Sequence, residues 1–268
     1  MITELFTHDF IVRALIVGVF TAISTAMLGN FIVASRQSVI SDMLAHTALA
    51  GVGIGIFWHA SPTLFAFVVT IFTSFLLWYF SRSQKSAPEA ISMLLLSGGL
   101  AIAILFAHIA KDNPVSLETY LFGSILTITQ QELYFFLGIN IFVVLFLIIF
   151  WRSLLTFVFD KEFFQIKTRF SSALEISFMF LIAAIVGIGM KIIGGLLIGA
   201  MLIIPVLTAQ TFSRNFFQNV SGSVVVNMFG VILGILSSFY FDIPTSSGIV
   251  LSLIFFFLCS RISNIFHS

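Results

Sequence analysis

Residues Leu133–Trp151 read LYFFLGINIFVVLFLIIFW, nineteen positions without one charged side chain. A helix crossing a bilayer needs roughly 20 mostly apolar residues. This stretch meets that need, and similar stretches run end to end along the chain. Reading spans from the gaps between charges gives nine: about 10–34, 40–58, 62–80, 91–110, 133–151, 173–190, 192–212, 221–240 and 245–262. Pro62 separates the second from the third, and Gly194-Gly195 opens the seventh. Span two reads as a short or broken helix, so eight crossings suit the pattern as well as nine. The expected fold is all-α, a polytopic membrane protein with about 8–9 transmembrane helices.

Composition agrees. Of 268 residues only 9% are charged and 59% are hydrophobic, whereas soluble domains carry about 25% charge. The first apolar segment is not read as a secretory signal. It is longer than a signal core and lacks a small-x-small cleavage site before a soluble domain. No polar stretch is long enough to form an appended domain, so residues 1–268 are expected to form a single transmembrane domain. A net charge of +1 gives no pull on nucleic acid. Cys259, the one cysteine, permits no intrachain disulfide.

Lysine and arginine placement sets orientation. With residues 81–89 in the cytoplasm and nine crossings, Arg36, Arg82, Lys85, Arg152, Lys161, Lys167, Arg169, Arg214 and Arg261 lie inside. Only Arg13, Lys111 and Lys191 lie outside. The N-terminus is therefore expected outside and the C-terminus in the cytoplasm. Gly51, Gly53 and Gly55 in span two, and Gly195 with Gly199 in span seven, are the small residues that let membrane helices approach closely. The 34 phenylalanines read as lipid-facing and packing bulk.

Charge inside a span is costly and marks function by default. Asp42 and His46 stand out, four residues apart and so on one helical face. Carboxylate oxygen and imidazole nitrogen are good ligands for zinc or manganese. Two ligands do not complete a site, and Asp42 falls near the start of span two, shallow for a mid-membrane ligand. The structural alternative is an N-terminal pair, Asp42 at the positive end of the helix dipole and hydrogen-bonded to His46. His108, Lys111 and Asp112 read as interface residues, and Trp58 with His59 as a membrane-surface anchor. Glu175, Lys191 and Asp242 read as solvated, and His8 and His267 carry no spacing signal. The chain has no phosphate-binding G-x-x-x-x-G-K-[ST] loop, no His-Glu-x-x-His and no Gly-x-Ser-x-Gly, so catalysis on this chain is not expected.

Asp42-x-Leu-Ala-His46 followed by Leu49-Ala-Gly51 resembles the membrane subunit of bacterial zinc and manganese ABC importers, the ZnuB-like permeases. Four more segments follow in family order. They are Leu121-Phe-Gly-Ser-Ile-Leu126 with Glu132, Phe159-Asp-Lys-Glu-Phe163, Gly194 through Pro205 to Thr208-Ala209 and Ser213-Arg214, and Phe239-Tyr-Phe-Asp242-Ile-Pro244 with Gly248-Ile-Val-Leu251. The resemblance covers nearly the whole chain. It implies a type II-like ABC importer permease, one domain over 1–268, in the bacterial inner membrane. It further implies a homodimer around a translocation path, a separate cytoplasmic ATP-binding cassette subunit and an extracytoplasmic metal-binding protein. Asp42 and His46 match the family's metal-path pair. Pro205, Thr208, Arg214, Phe216 and Phe217, in the stretch ending near Gln218, match the region that contacts the ATPase. No cofactor is implied beyond the transported Zn2+ or Mn2+.

This chain departs from the family at Val206-Leu207, where alanines are usual, at Gln210, where the family has arginine, and at Pro244-Thr-Ser-Ser-Gly248, where the glycine is displaced. Leu-Ala before His46 is closer to the zinc members than to the manganese and iron group. The competing readings are a permease for a chelate of siderophore or cobalamin type, an ion-gradient carrier and a membrane scaffold. The near absence of mid-span carboxylates argues against the carrier.

Overall fold

A computed structural model describes residues 9–81, 88–110, 117–123, 129–160, 163–164 and 171–267. His8, Arg82, Lys85, Lys111, Asp112, Lys161, Glu162, Lys167, Arg169 and the Ser124–Leu126 part of one motif lie outside the described residues. The chain forms α1 (Asp9–Ala34), α2 (Val39–Phe57), α3 (Pro62–Ser81), α4 (Pro88–Ile109) and the short α5 (Leu117–Phe122). After these come α6 (Gln130–Ile149), α7 (Trp151–Phe159), α8 (Ser171–Ile193), α9 (Gly195–Gln210), α10 (Phe216–Phe241) and α11 (Thr245–His267).

Local chemistry fixes the helix ends. Proline opens α3 and α4, where a missing N–H is harmless. Thr129 and Glu132 form a capping box that starts α6 three residues before the apolar run. The Asn215 side chain accepts from the Gln218 N–H at 2.8 Å and starts α10. Asp242 ends α10 in the left-handed conformation.

Contacts between helix ends sort them into two faces. On one face, Gln37, Ser81 and Pro88 border one crevice. There the Trp78 indole donates to Glu175 at 3.3 Å, and the rings of Phe31, Trp151, Phe159 and Phe216 cluster. On the other, Phe57 meets Phe106, Lys191 pairs with Glu132, and the backbones of Gly123 and Gly194 touch. The described chain therefore runs between the faces nine times, with α5 and α7 as extra short helices.

Span two is not the weak one. Helix α2 is unbroken over 19 residues and is almost wholly enclosed, with Met43, Leu44, Ala48, Leu49 and Val52 all buried. Among the described residues eight helices are long and apolar enough to cross a bilayer, and the short one is α9 at 16 residues, roughly 24 Å at 1.5 Å per residue. Two further expectations need correcting. Residues 152–159, which fall between spans five and six as read from the sequence, are helical with Trp151 in α7, with Leu154 and Phe157 buried. Glu175, expected in water, is 7% exposed because Trp78 lies over it.

Glycines set the spacing. A Cβ at Gly51 would lie 2.6 Å from the Cα of Ala66 in α3, and one at Gly53 would lie 3.1 Å from the Ala103 carbonyl in α4. A Cβ at Gly29 in α1 would fall on the carbonyl of Leu202 in α9. Side-chain amides add ties between spans. Asn140 of α6 bonds Ser24 of α1, and Asn30 of α1 bonds both Asn219 and Ser223 of α10. Such bonds average about 0.6 kcal/mol in a membrane protein.

The break between α8 and α9 depends on Gly194, whose φ of 95° disfavours any side chain and whose Cβ would lie 2.5 Å from the Phe122 carbonyl. Gly194→Ala is expected to lower the melting temperature of the detergent-purified protein by several degrees, since a strained backbone of this kind costs about 1–3 kcal/mol. Gly98→Ala adds its methyl where nothing lies within 4 Å and is expected to leave that temperature unchanged.

Candidate metal path

Asp42 lies in the first turn of α2, and His46 one turn later on the same face. Every neighbour of theirs from Met43 to Ala50 is buried, yet Asp42 is exposed in the single chain and His46 is half-buried. The hydrogen bond expected of a simple N-terminal pair is not formed. Among the described residues no hydrogen bond or ion pair joins Asp42 to His46, and the Nδ1 of His46 is buried with no partner. An imidazole nitrogen without a hydrogen-bond partner thus stands one turn from an exposed carboxylate on the same helical face.

Helix α9 forms the wall opposite. A Cβ on Gly199 would lie 2.8 Å from Asp42 Oδ1, and one on Gly195 would lie 3.5 Å from the Ala45 Cβ. The small pair in span seven is therefore what admits the Asp42 face of α2. Gly199 is the fifth residue of α9, so the carboxylate lies roughly 16 Å short of the C-terminal end of that helix. Asp42 is thus early in its own helix without lying at the edge of the bundle. Beside this contact α9 keeps one uncovered stripe. Leu196, Leu207 and Gln210 are exposed and Ala200 and Ile203 are half-buried, a spacing that falls on one face. No third His, Cys, Asp or Glu among the described residues joins the pair to make a cluster of three.

The expected ATPase-contact residues divide. Pro205 and Thr208 are buried within the chain, Thr208 donating to the Ile204 carbonyl at 2.8 Å. Phe216 is half-buried against Phe31, Trp151 and Phe159. Pro205 and Thr208 shape the segment from inside, and Phe216 remains partly accessible. Arg214 is exposed and Phe217 is 71% exposed. With Phe212 and Gln218, Arg214 borders a groove of about 540 Å³ between the 211–215 turn and α10.

A second polar assembly went unread in the sequence. Lys191 is not simply solvated but pairs with Glu132, beside a cavity of about 300 Å³ that also meets Ser61 and Thr63. His59 and Trp58 are exposed just past the end of α2, and His108 is exposed one residue before the end of α4.

The family model described as "ABC 3 transport family" matches residues 7–264. The chain belongs to that family. As an ABC 3 permease it is a membrane component of a transporter rather than an enzyme. It is 30% identical over 254 residues to the high-affinity zinc uptake system membrane protein ZnuB of Haemophilus influenzae, covering 94% of this chain and 97% of the relative. It is 25% identical over 248 residues to the manganese transport system membrane protein MntC of Halalkalibacterium halodurans, covering 92% and 85%. The solved structure of PsaBC from Streptococcus pneumoniae in complex with Fab matches with a TM-score of 0.80 at 25% identity, over 97% of this ABC 3 permease and 95% of that chain.

The exposure of Asp42 is open to a direct check. In a Cys259→Ser background, Asp42→Cys is expected to react readily with a charged, membrane-impermeant thiol reagent in the solubilised protein. Met43→Cys, at a position that is 0% exposed, is expected to react far more slowly. Equal rates would contradict the uncovered face.

Proposed function

We propose that this ABC 3 permease carries a bare divalent transition metal inward, zinc before manganese, and that Asp42 and His46 receive the ion. The observation that supports this is the His46 Nδ1, buried without a partner, one turn from an exposed carboxylate. Zinc takes nitrogen and oxygen ligands and prefers four of them, and one chain offers two. A second copy facing the first across the α9 stripe would bring its own Asp42 and His46. The homodimer is therefore part of the proposal, with the cation passing between two copies. The names of the relatives support zinc and manganese as cargo. A chelate permease is less well supported, because a chelate arrives with its ligands already filled and has no use for this pair.

The energy source is proposed to be a separate ATP-binding cassette subunit, docked at the groove bordered by Phe212, Arg214 and Gln218 with Phe217 beside it. An extracytoplasmic binding protein delivers the ion at the opposite face. This sets the 211–215 turn in the cytoplasm, the N-terminus outside and the C-terminus inside, in a bacterial inner membrane.

In vesicles holding the permease and its ATPase, Asp42→Ala and His46→Ala are each expected to cut zinc uptake to background at equal expression. Unchanged uptake in both would sink the metal-path reading. Arg214→Glu is expected to lose the ATPase in a pull-down while the detergent-purified permease keeps its melting temperature. Normal capture would remove Arg214 from the docking surface.

A further inference from the structure

Pro205 stands inside α9, with Val206–Gln210 still helical after it. Proline has no amide hydrogen, so the carbonyl of Met201, four residues earlier, loses its helical donor. Met201 is 1% exposed, and water does not reach it. A donor comes instead from the next helix. The Nδ2 of Asn227 in α10 lies 3.2 Å from the Met201 carbonyl, 2.9 Å from the Ala22 carbonyl in α1 and 3.0 Å from Thr25 Oγ1.

These partners fix the amide's orientation. Two are carbonyls, which only accept, and the Thr25 hydroxyl gives its own hydrogen to the Thr21 carbonyl at 2.6 Å. The NH2 must therefore face all three, sharing two hydrogens among three acceptors. Asn227 is 0% exposed and its Oδ1 has no partner. Burying an amide with its oxygen unsatisfied is unfavourable, so this side chain is present for its NH2.

Position along α9 gives that NH2 a role. Gly199, against Asp42, precedes the proline, and the Phe212–Phe217 segment follows it. A helix that has lost a bond at proline bends there. Movement at the docking segment reaches the Asp42 wall only if both halves of α9 move together. Resting on the transport reading above, we propose that Asn227 is a positioning residue for transport. It replaces the hydrogen bond that Pro205 removes and keeps α9 a single rod between the ATPase-docking turn and the Gly199 wall. Without it, the inner half of α9 pivots at Pro205, and ATP is spent without moving the wall.

The test is zinc taken up per ATP hydrolysed, measured in vesicles holding the permease and its ATPase, with the melting temperature of each variant recorded. Asn227→Leu is expected to lower that ratio by about tenfold, in keeping with a buried carbonyl left without a donor. Pro205→Ala restores the amide hydrogen to Met201, so adding Asn227→Leu to Pro205→Ala is expected to leave the ratio of the single Pro205→Ala variant within about twofold. Thr25→Val removes an acceptor in α1 but spares the Met201 bond, and is expected to leave the ratio unchanged. A purely structural Asn227 would lower uptake and ATP turnover together, or act equally in both backgrounds, and either result overturns the proposal. So does loss of the fold in both backgrounds. If uptake by the unaltered complex needs no ATP, the transport reading itself falls. If it needs ATP and Asn227→Leu keeps the ratio, only the role of Asn227 falls.

Discussion

Helix α9 is enclosed by α1, α2, α8, α10 and α11, and it fits because glycine stands at the tightest crossings. At Gly29 the backbone of α1 lies directly on Leu202, and at Gly195 and Gly199 the backbone of α9 admits Ala45 and Asp42 of α2. In lipid the hydrophobic effect does not push helices together, so close backbone approach and shared hydrogen bonds must hold them. The same closeness that packs α9 brings a carboxylate to its surface. Structure and site therefore rest on one arrangement of small residues.

The two walls of the proposed path differ in kind. Helix α2 is held by α3, α4 and α8 along most of its length, and its buried residues leave little freedom for Asp42 and His46. Helix α9 starts at the sharp Gly194 break and keeps an uncovered stripe. On the proposed reading, a fixed pair of ligands opposite a wall that moves suits a carrier that must hold its cargo in one state and release it in another.

Much of this was legible in the sequence, for definite reasons. Charge-free runs such as Leu133–Trp151 mark spans because lipid excludes charge. The i, i+4 spacing of Asp42 and His46 put them on one face, as found. The family resemblance, carried by five ordered segments, agrees with the family match over residues 7–264. What stayed hidden depends on partners far apart in sequence. Nothing near Glu175 reveals that Trp78 will cover it, and nothing near Lys191 points to Glu132. Span two read as short or broken, yet it is a continuous helix, and Gly51, Gly53 and Gly55 are the close-packing positions expected of them. Asparagines 30, 140, 219 and 227 were a readable signal that went unused. An amide within an apolar span needs a partner, and each of these reaches another helix.

The shortness of α9 has an electrostatic consequence. A helix roughly 24 Å long is shorter than a hydrocarbon layer of about 30 Å. Along the proposed path, a shorter span makes for a thinner low-dielectric barrier than a full-length one. For a doubly charged ion the penalty of leaving water grows with the square of its charge, and each ångström removed from that barrier counts most for such cargo. On the proposed reading, the 16 residues of α9 would shorten the stretch over which the cation relies on Asp42 and His46 in place of its hydration shell.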